Sequence, residues 1–478
     1  MVSNPLTMRL VRPCFLFFFL CVFSTGFSQK EYKINFKING LKDTLCLIAN
    51  YYGNATYIKD TLKVDGQGRC IFKASPGLPK GIYILVITDK VYLDFVINND
   101  HFFSIETDKS NPIENVKITG SPENRLFYDY LVYNKKKIEE AQALNKEIKK
   151  HPDQKDSTRL MSDRIDSINK EMIRYKYDLI KKNPTSFISF MLNAMKEPDS
   201  PPIPKLPDGR SDSTYPYRFY KTHYWDDTDF TDDRLLRTPV FHNKLQKFLD
   251  KVIIQNPDTL IKEIDIMVEK ARPNAEMFKY LIWFMTYHYE ISEIMGFDKI
   301  FVHLVDRYYV TGQTPWVHKT VVENMIKKAN KLRPLLLGQK APNMIMVDTS
   351  NQLVSLHNID SKFIIILFWD PTCSHCELEI PKIKEIYDQN RENYGLSIFA
   401  VCSDSSLVKW KESIRKKKMN WINVDGPRTL TGNYHDQYDI ISTPVIYILN
   451  ERKEIIAKKL AADQILTFIK NYIQLKNK

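Results

Sequence analysis

A pair of cysteines separated by two residues constrains the fold of this chain more than any other feature. Cys373 and Cys376 follow the apolar run 363–369, which is typical of a buried strand, and precede residues 377–390, which are typical of a helix. The first turn of a helix offers free N–H groups and a partial positive charge, which favour a thiolate. The pattern therefore indicates a dithiol that exchanges electrons by opening and closing a disulfide.

The N-terminus, residues 1–28, has the order of a secretory signal peptide. Two arginines precede an apolar run at 14–23, and small residues then lead to Ser28. The run is shorter than the ~20 residues that cross a membrane. The alternative is a lipoprotein signal, which would attach the protein to the membrane through a lipid on Cys21. Cys21 lacks the small preceding residue that such a signal has. We expect an exported protein of the periplasm or cell envelope of a Gram-negative bacterium.

Export would place the mature chain in a compartment where disulfides persist. Without residues 1–28 the net charge falls from +12 to +10, and five of the seven cysteines remain. An odd number leaves at least one thiol unpaired within the chain. In an exported protein, lysines spread over helices are typical of solvated helix faces, so we expect no nucleic-acid partner.

Residues 29–120 have the pattern of short strands in an antiparallel, β-sandwich-like domain. Apolar and polar residues alternate at 32–38, and turn sequences such as 65–68 separate later apolar runs. Cys46 and Cys70 could pair across this sheet, and two separately buried thiols are the alternative.

Residues 121–334 are predicted to form an all-α region. Ser121 followed by Pro122 is a helix start signal. Apolar residues at 161–179 step by four and three positions, which predicts one stripe of a long helix. Five prolines at 198–207 predict a loop that interrupts this region.

One cluster in the helical region contains residue types that bind metals. His223, His242 and five aspartates between positions 226 and 233 lie close in sequence. Their spacing matches no known ligand motif, and aspartates before a helix commonly cap its N–H groups. We therefore expect capping and solvation here, and no metal.

Residues 335–478 alternate predicted strands and helices. Such an order predicts an open α/β sheet with helices on both faces.

This C-terminal region resembles the thioredoxin superfamily, and most closely its exported TlpA/ResA-like branch of disulfide reductases. The likeness covers about residues 335–478, under a third of the chain. This resemblance implies a thioredoxin fold and an activity that needs no cofactor. The residues that carry the likeness are Phe368, Trp369, Cys373, Cys376, Pro381, Ser442, Thr443 and Pro444.

The resemblance implies a role for each matching residue. Cys373 would be the exposed nucleophile, and Cys376 would resolve the mixed disulfide. Pro444 would form a cis peptide bond that faces the dithiol. Trp369, Thr443 and Pro444 would then contact an extended substrate segment.

The chain departs from thioredoxin at two positions. Leu367 stands where thioredoxin has a buried aspartate that carries protons. Glu379 matches a glutamate of the TlpA/ResA branch that assists proton transfer, so it is the candidate carrier, with a solvated helix residue as the alternative. His375 lies between the cysteines, where it would stabilise the reduced form and raise the potential above the roughly −270 mV of thioredoxin.

Other interpretations of the dithiol fit the sequence less well. Zinc could bind Cys373, His375 and Cys376, but no second ligand pair lies nearby. A peroxidase of the peroxiredoxin type needs Thr or Ser three residues before its reactive cysteine, where this chain has Asp370. A structural disulfide is the plain alternative for an exported pair, and Pro444 argues against it.

We therefore expect an exported thiol–disulfide oxidoreductase that acts on protein or peptide disulfides together with a redox partner of unknown identity. The alternative is an envelope scaffold whose thioredoxin domain recruits partners without turnover. Cys402, at the end of the second predicted strand, is either a buried thiol or a third redox thiol.

Overall fold

The computed structural model describes residues 31–75 and 77–476 of the chain. The predicted signal peptide, residues 1–28, lies outside these residues. The contacts divide the chain into two compact units, one running to Tyr51 and continuing with Thr56–Ile188, and the other made of Tyr52–Ala55 and Ser189–Lys478. Among the helices of the described residues, none combines the length and apolar character that a membrane crossing requires.

Strands in the described part of the first unit form two four-stranded sheets. They are β1 (Tyr32–Asn39), β2 (Thr44–Tyr52), β3 (Ala55–Val64), β4 (Arg69–Ala74), β5 (Gly81–Thr88), β6 (Val91–Ile97), β7 (Phe102–Asp108) and β8 (Lys117–Thr119). The sheet orders are β4-β1-β7-β8 and β3-β2-β5-β6. Phe36 of β1 and Phe95 of β6 meet between the sheets, with ring centroids 5.3 Å apart.

The sandwich-like arrangement agrees with the sequence analysis, but it is not purely antiparallel. Strand β1 runs parallel to β7, with Phe36 opposite Ile105. A parallel pair needs a long connection, and residues 40–101 supply one. Cys46 and Cys70, whose pairing the sequence left open, are both free and buried thiols.

Helices α1 (Pro122–Lys150) and α2 (Lys155–Lys182) group with these sheets. The Asn124 side chain accepts a hydrogen bond from the Val96 N–H at 2.7 Å and donates one to the Val96 carbonyl at 2.9 Å. The two bonds provide hydrogen-bond partners for the backbone N–H and carbonyl of Val96, on strand β6 at the edge of its sheet. The predicted extent of the helical domain, residues 121–334, stays a prediction.

The helical part of the second unit surrounds an apolar core that includes Leu249, Leu281 and Phe301. The helices that follow α2 are α3 (Phe187–Ala194), α4 (Tyr215–His223), α5 (Pro239–Lys247), α6 (Pro257–Ala271), α7 (Ala275–Glu290), α8 (Asp298–Leu304) and α9 (Lys319–Leu332). In the acidic cluster, Asp232 caps the turn Asp233–Arg237 by accepting the Arg234 N–H at 3.0 Å. His242 bonds to the Tyr280 hydroxyl at 2.8 Å.

The C-terminal part of the second unit is an α/β sheet with helices on both faces. Its strands are β9 (Ile345–Asp348), β10 (Leu353–Ser355), β11 (Phe363–Trp369), β12 (Leu396–Cys402), β13 (Ile422–Thr429), β14 (Val445–Asn450) and β15 (Ile455–Lys458). Its helices are α10 (Ser374–Tyr394), α11 (Leu407–Lys416), α12 (Tyr434–Gln437) and α13 (Ile465–Lys476). The sheet order is β10-β9-β13-β12-β11-β14-β15.

Strand β11 is an inner strand of this sheet, between β12 and β14, and it leads to the dithiol at the start of α10. It runs parallel to β12 and antiparallel to β14. All seven residues of β11 are buried. Alternate side chains enter different apolar clusters: Leu367 and Trp369 pack with Ile380 of α10, whereas Ile366 and Phe368 pack on the opposite face.

Candidate active site

Cys373 caps the N-terminus of α10. Its sulfur accepts a hydrogen bond from the Cys376 N–H at 3.4 Å. The first N–H groups of a helix have no partner within the helix, so the sulfur supplies one. The positive end of the helix dipole favours negative charge at this position.

The pKa of the Cys373 thiol lies below its ordinary value. Partial burial alone would raise this pKa, but hydrogen bonds, chiefly from the Cys376 N–H, outweigh the burial. Thiolate is the nucleophilic form of cysteine. Cys373 is therefore the thiol of the pair that is prepared to attack.

Cys376 lies one helical turn deeper and is fully buried. It packs in the apolar cluster that contains Trp369 and Ile380. Burial raises the pKa of its thiol to about 12. The two thiols thus differ in solvent exposure and in pKa. The Cys376 thiol is protonated at neutral pH.

Thr443 and Pro444 bring a second chain segment to the dithiol. The Cys373 thiol donates to the Thr443 carbonyl at 3.2 Å, and the Thr443–Pro444 peptide bond is cis. The contact follows from the antiparallel pairing of β11 with β14, in which Phe368 lies opposite Val445. The sequence analysis placed Pro444 at this position only through the family resemblance.

Trp369 is buried next to the dithiol. Its side chain is 0% exposed and packs in the apolar cluster of Cys376 and Ile380. Its contact with substrate stays a prediction.

Glu379 is held by groups other than the dithiol. Its carboxylate pairs with Lys382 at 2.6 Å and accepts the Ala462 N–H at 2.9 Å. These hydrogen bonds hold the pKa of Glu379 below its ordinary value. These contacts keep the carboxylate ionised at neutral pH, and the role of Glu379 as a proton carrier stays a prediction.

Leu367 and His375, at which the chain departs from thioredoxin, lie in different environments. Leu367 is 0% exposed and packs with the α10 face of the sheet. His375 is exposed in the first turn of α10, beside Cys376 in sequence. The imidazole is therefore open to solvent and close to the helix end that holds the Cys373 sulfur.

Cys402 ends strand β12, in register with Trp369 on β11. It is fully buried and shares the apolar cluster of Cys376. Burial raises the pKa of its thiol to about 12. These properties are those of a buried core thiol, while a redox role for Cys402 remains a prediction.

The sequence analysis missed a structural role for Asp370, which it used only to argue against a peroxidase. The Asp370 carboxylate accepts hydrogen bonds from the Thr372 N–H at 2.7 Å and from the Ser403 hydroxyl at 2.7 Å. An Asp-Pro-Thr sequence is a turn signal and could have indicated the first bond. The second depends on the pairing of β11 with β12, which no local pattern shows.

Clusters of metal-ligating side chains were sought in the described residues. Across 31–75 and 77–476, no group of three or more His, Cys, Asp or Glu side chains is arranged to hold a metal ion.

Family models match three segments of the chain. Residues 337–458 match the AhpC/TSA family, and residues 32–127 and 184–332 match two domains of unknown function, DUF4369 and DUF5106. The AhpC/TSA match contains the dithiol and Pro444.

Curated relatives match the same C-terminal part. The thiol–disulfide oxidoreductase ResA of Bacillus cereus is 22% identical over 139 residues, which are 29% of this chain and 77% of the relative. ResA of Bacillus subtilis is 23% identical over 139 residues, or 29% of this chain and 74% of the relative.

Solved structures are similar as well. A domain of a possible thiol-disulfide isomerase from Cytophaga hutchinsonii is 36% identical, with a TM-score of 0.29, and the match covers 30% of this chain and 99% of that one. A thioredoxin-like protein from Bacteroides caccae is 17% identical, with a TM-score of 0.43, over 57% of this chain and 98% of that one. Residues 337–458 are therefore identified as an AhpC/TSA-type, thioredoxin-like domain, and the curated relatives of this part of the chain are named thiol–disulfide oxidoreductases.

Proposed function

We propose that this protein is an exported thiol–disulfide oxidoreductase that acts on protein or peptide disulfides through Cys373 and Cys376. One observation carries the proposal. The outer thiol is accessible and has a lowered pKa, whereas the inner thiol is buried and has a raised pKa. A purely structural disulfide has no need of this asymmetry, but sequential attack requires it.

In the first step, the Cys373 thiolate attacks one sulfur of a substrate disulfide. The substrate S–S bond breaks as the Cys373–substrate bond forms. The other substrate sulfur leaves as a thiolate and takes up a proton. The N–H of Cys376 stabilises the attacking sulfur before this step.

In the second step, Cys376 loses its proton and attacks the sulfur of Cys373. The mixed disulfide breaks, the second substrate sulfur leaves as a thiolate, and it is protonated. The balance is one substrate disulfide reduced to two thiols and one enzyme dithiol oxidised to the Cys373–Cys376 disulfide. A dithiol donor in the same compartment must then restore the reduced enzyme, and the sequence of steps runs in reverse if partner potentials favour it.

The surface next to Cys373 supports a polypeptide substrate. Thr443 lies at the sulfur and precedes strand β14, so its backbone can pair with an extended segment. Ile441, two residues earlier, is 89% exposed. A substrate that covered this exposed aliphatic side chain would bind more tightly, because burial of apolar surface is favourable.

Export rests on the N-terminal sequence. The charged, apolar and small-residue order of residues 1–28 supports secretion to the periplasm or cell envelope of a Gram-negative bacterium. Isolation of the mature protein from a periplasmic fraction should give an N-terminus at Gln29. A cytosolic protein that begins at Met1 would contradict the assignment.

Insulin-disulfide reduction tests the activity. Wild type should reduce insulin in the presence of a dithiol donor, and Cys373→Ser should lose this activity. Cys376→Ser should accumulate mixed disulfides with substrate, because resolution is blocked. Cys402→Ser is the matched control and should retain activity. Equal and negligible rates for wild type and Cys373→Ser would instead favour the scaffold alternative.

A further inference from the structure

The loop that carries Cys373 is anchored by a residue outside the family's dithiol and proline motifs. Asp370 is the first residue after strand β11, three positions before Cys373. One carboxylate oxygen accepts the Thr372 N–H at 2.7 Å and the Thr372 hydroxyl at 2.6 Å. The other accepts the Ser403 hydroxyl at 2.7 Å.

These bonds connect the loop to the neighbouring strand. Ser403 directly follows β12, and its N–H donates to the Trp369 carbonyl at 2.9 Å, which continues the sheet pairing by one residue. The Asp370 carbonyl in turn accepts the Cys373 N–H at 3.3 Å. Asp370 therefore links the end of β12 on one side to the backbone of the reactive cysteine on the other.

The Asp370 carboxylate is bonded to Thr372 and Ser403. Burial alone would raise its pKa, but hydrogen bonds from Thr372 and Ser403 outweigh the burial and hold the pKa below its ordinary value. The carboxylate is thus ionised at neutral pH. A nearby anion by itself would disfavour a thiolate, so any benefit of Asp370 to Cys373 must come through the geometry of the loop.

We propose that Asp370 is a positioning residue whose bond to Ser403 keeps the Cys373 sulfur within hydrogen-bond reach of the Cys376 N–H. This deepens, and rests on, the proposed redox function of the same site. Loss of the Asp370–Ser403 hydrogen bond would free the loop from strand β12. The hydrogen bond from the Cys376 N–H to the Cys373 sulfur would then weaken, and the thiolate would be less stable. Asp370 touches neither substrate nor the reacting sulfur, so it acts only through Thr372, Ser403 and the loop backbone.

The pKa of Cys373 in the mature chain, which begins at Gln29 and lacks Cys14 and Cys21, measures this role directly. Thiolate absorbance at 240 nm against pH should report Cys373 alone below about pH 9, because burial raises the pKa of Cys46 to about 11 and the pKa of Cys70, Cys376 and Cys402 to about 12. Cys373→Ser should remove the transition. The measurement needs no substrate, so it stands even if insulin is not reduced.

Three variants separate positioning from charge. Ser403→Ala keeps the Asp370 charge and removes one anchor bond, and it should leave about threefold less thiolate at neutral pH. Asp370→Ala should leave about tenfold less, which corresponds to a rise of about one pKa unit. Asp404→Asn is the control, since Asp404 accepts the Ser406 N–H at 2.8 Å outside the loop and its removal also deletes one negative charge near the site.

Loss of charge alone would lower the Cys373 pKa, whereas loss of positioning raises it. The proposal predicts a rise for Ser403→Ala and Asp370→Ala and none for Asp404→Asn. An unchanged pKa in folded Ser403→Ala would overturn it. A lower pKa in Asp370→Ala, matching Asp404→Asn, would overturn it as well. If Asp370→Ala does not fold, Ser403→Ala still decides the matter.

Discussion

The sulfur of Cys373 and the carbonyl oxygen of Thr443 lie 3.2 Å apart, although 70 residues separate them in the chain. Strands β11 and β14 are neighbours in the sheet, so the loop before β14 meets the loop after β11. The outer sulfur is therefore held between a helix N–H and a backbone carbonyl. Because the pKa of the Cys373 thiol is lowered and that of the buried Cys376 thiol is raised, the reactivity of Cys373 can be measured separately.

Alkylation should identify Cys373 by its pH profile. Its lowered pKa means that thiolate forms at lower pH than in a free cysteine, whose pKa is about 8.5. The rate of reaction with iodoacetamide should therefore rise with pH and level off below that value. Mass mapping should place the adduct on Cys373, and Cys373→Ser should remove the fast phase. A plateau at or above pH 9 would contradict the assigned asymmetry.

His375 should make the dithiol more oxidising than that of thioredoxin. Its imidazole lies in the first turn of α10, where interaction with the thiolate would stabilise the reduced form. Equilibration with glutathione should give a potential above about −270 mV, and His375→Ala should lower it. The control is His435→Ala, which alters an imidazole bonded to the Ile440 carbonyl at 3.1 Å. A wild-type value at or below that of thioredoxin would refute the prediction.

Glu379→Gln should lower stability more than activity. The carboxylate loses charge-assisted bonds to Lys382 and the Ala462 N–H, which together contribute on the order of 1–2 kcal/mol to unfolding free energy. Because the folded pKa of Glu379 is lowered, this stability is present above the unfolded pKa of about 4.3 and is lost as pH falls through the folded pKa. Insulin reduction should change less than twofold.

Glu392→Gln is the matched control for that experiment. Glu392 lies on the same helix and pairs with Arg391 at 3.6 Å, and the Arg391 and Glu392 side chains are 46% and 87% exposed. Exposed pairs contribute about 0–1 kcal/mol, so denaturant unfolding should show a smaller loss for Glu392→Gln. A large, pH-dependent loss of activity in Glu379→Gln would support the proton carrier expected from the sequence.

Asp298→Asn should strongly destabilise the second unit. Asp298 begins α8, and its carboxylate pairs with the buried ammonium of Lys458 in β15, which also donates to the Leu335 carbonyl at 2.6 Å. The side chains of Lys458 and Asp298 are only 7% and 16% exposed. Removal of one partner leaves a buried charge without its counterion, at a cost of roughly 3–5 kcal/mol in unfolding free energy.

A double variant separates burial from pairing. Lys458→Met combined with Asp298→Leu should recover most of that loss, because an apolar pair carries no desolvation penalty. Lys331→Met removes ion pairs to Asp436 at 3.5 Å and Asp439 at 3.3 Å and should cost little, since the Lys331 side chain is 32% exposed. Urea unfolding of the four proteins measures all three effects. Equal stability of Asp298→Asn and wild type would contradict the buried pair.

Local patterns predicted most of the elements that carry the site. The strand at 363–369 is observed with those limits, and the helix predicted from residue 377 begins at Ser374. The start at Ser121-Pro122 is a real cap, in which the Ser121 hydroxyl accepts the Asn124 N–H. Period, caps and turn residues are local properties, so a sequence shows them directly.

Long-range pairings decided what local patterns did not show. The sheet buries Trp369, and Glu379 accepts the N–H of Ala462, which lies 83 residues away. The parallel pairing of β1 with β7 likewise depends on strands far apart in the chain.

The sequence by itself determined the presence of a dithiol at a strand–helix junction, because two cysteines and their flanking periodicity are local. Only the tertiary structure decided how the two sulfurs differ, since the burial of Cys376, the Thr443 carbonyl at Cys373 and the Asp370–Ser403 hydrogen bond all depend on contacts between distant segments. Thiol reactivity depends on solvation and hydrogen bonding at the sulfur, and both are set by packing rather than by spacing.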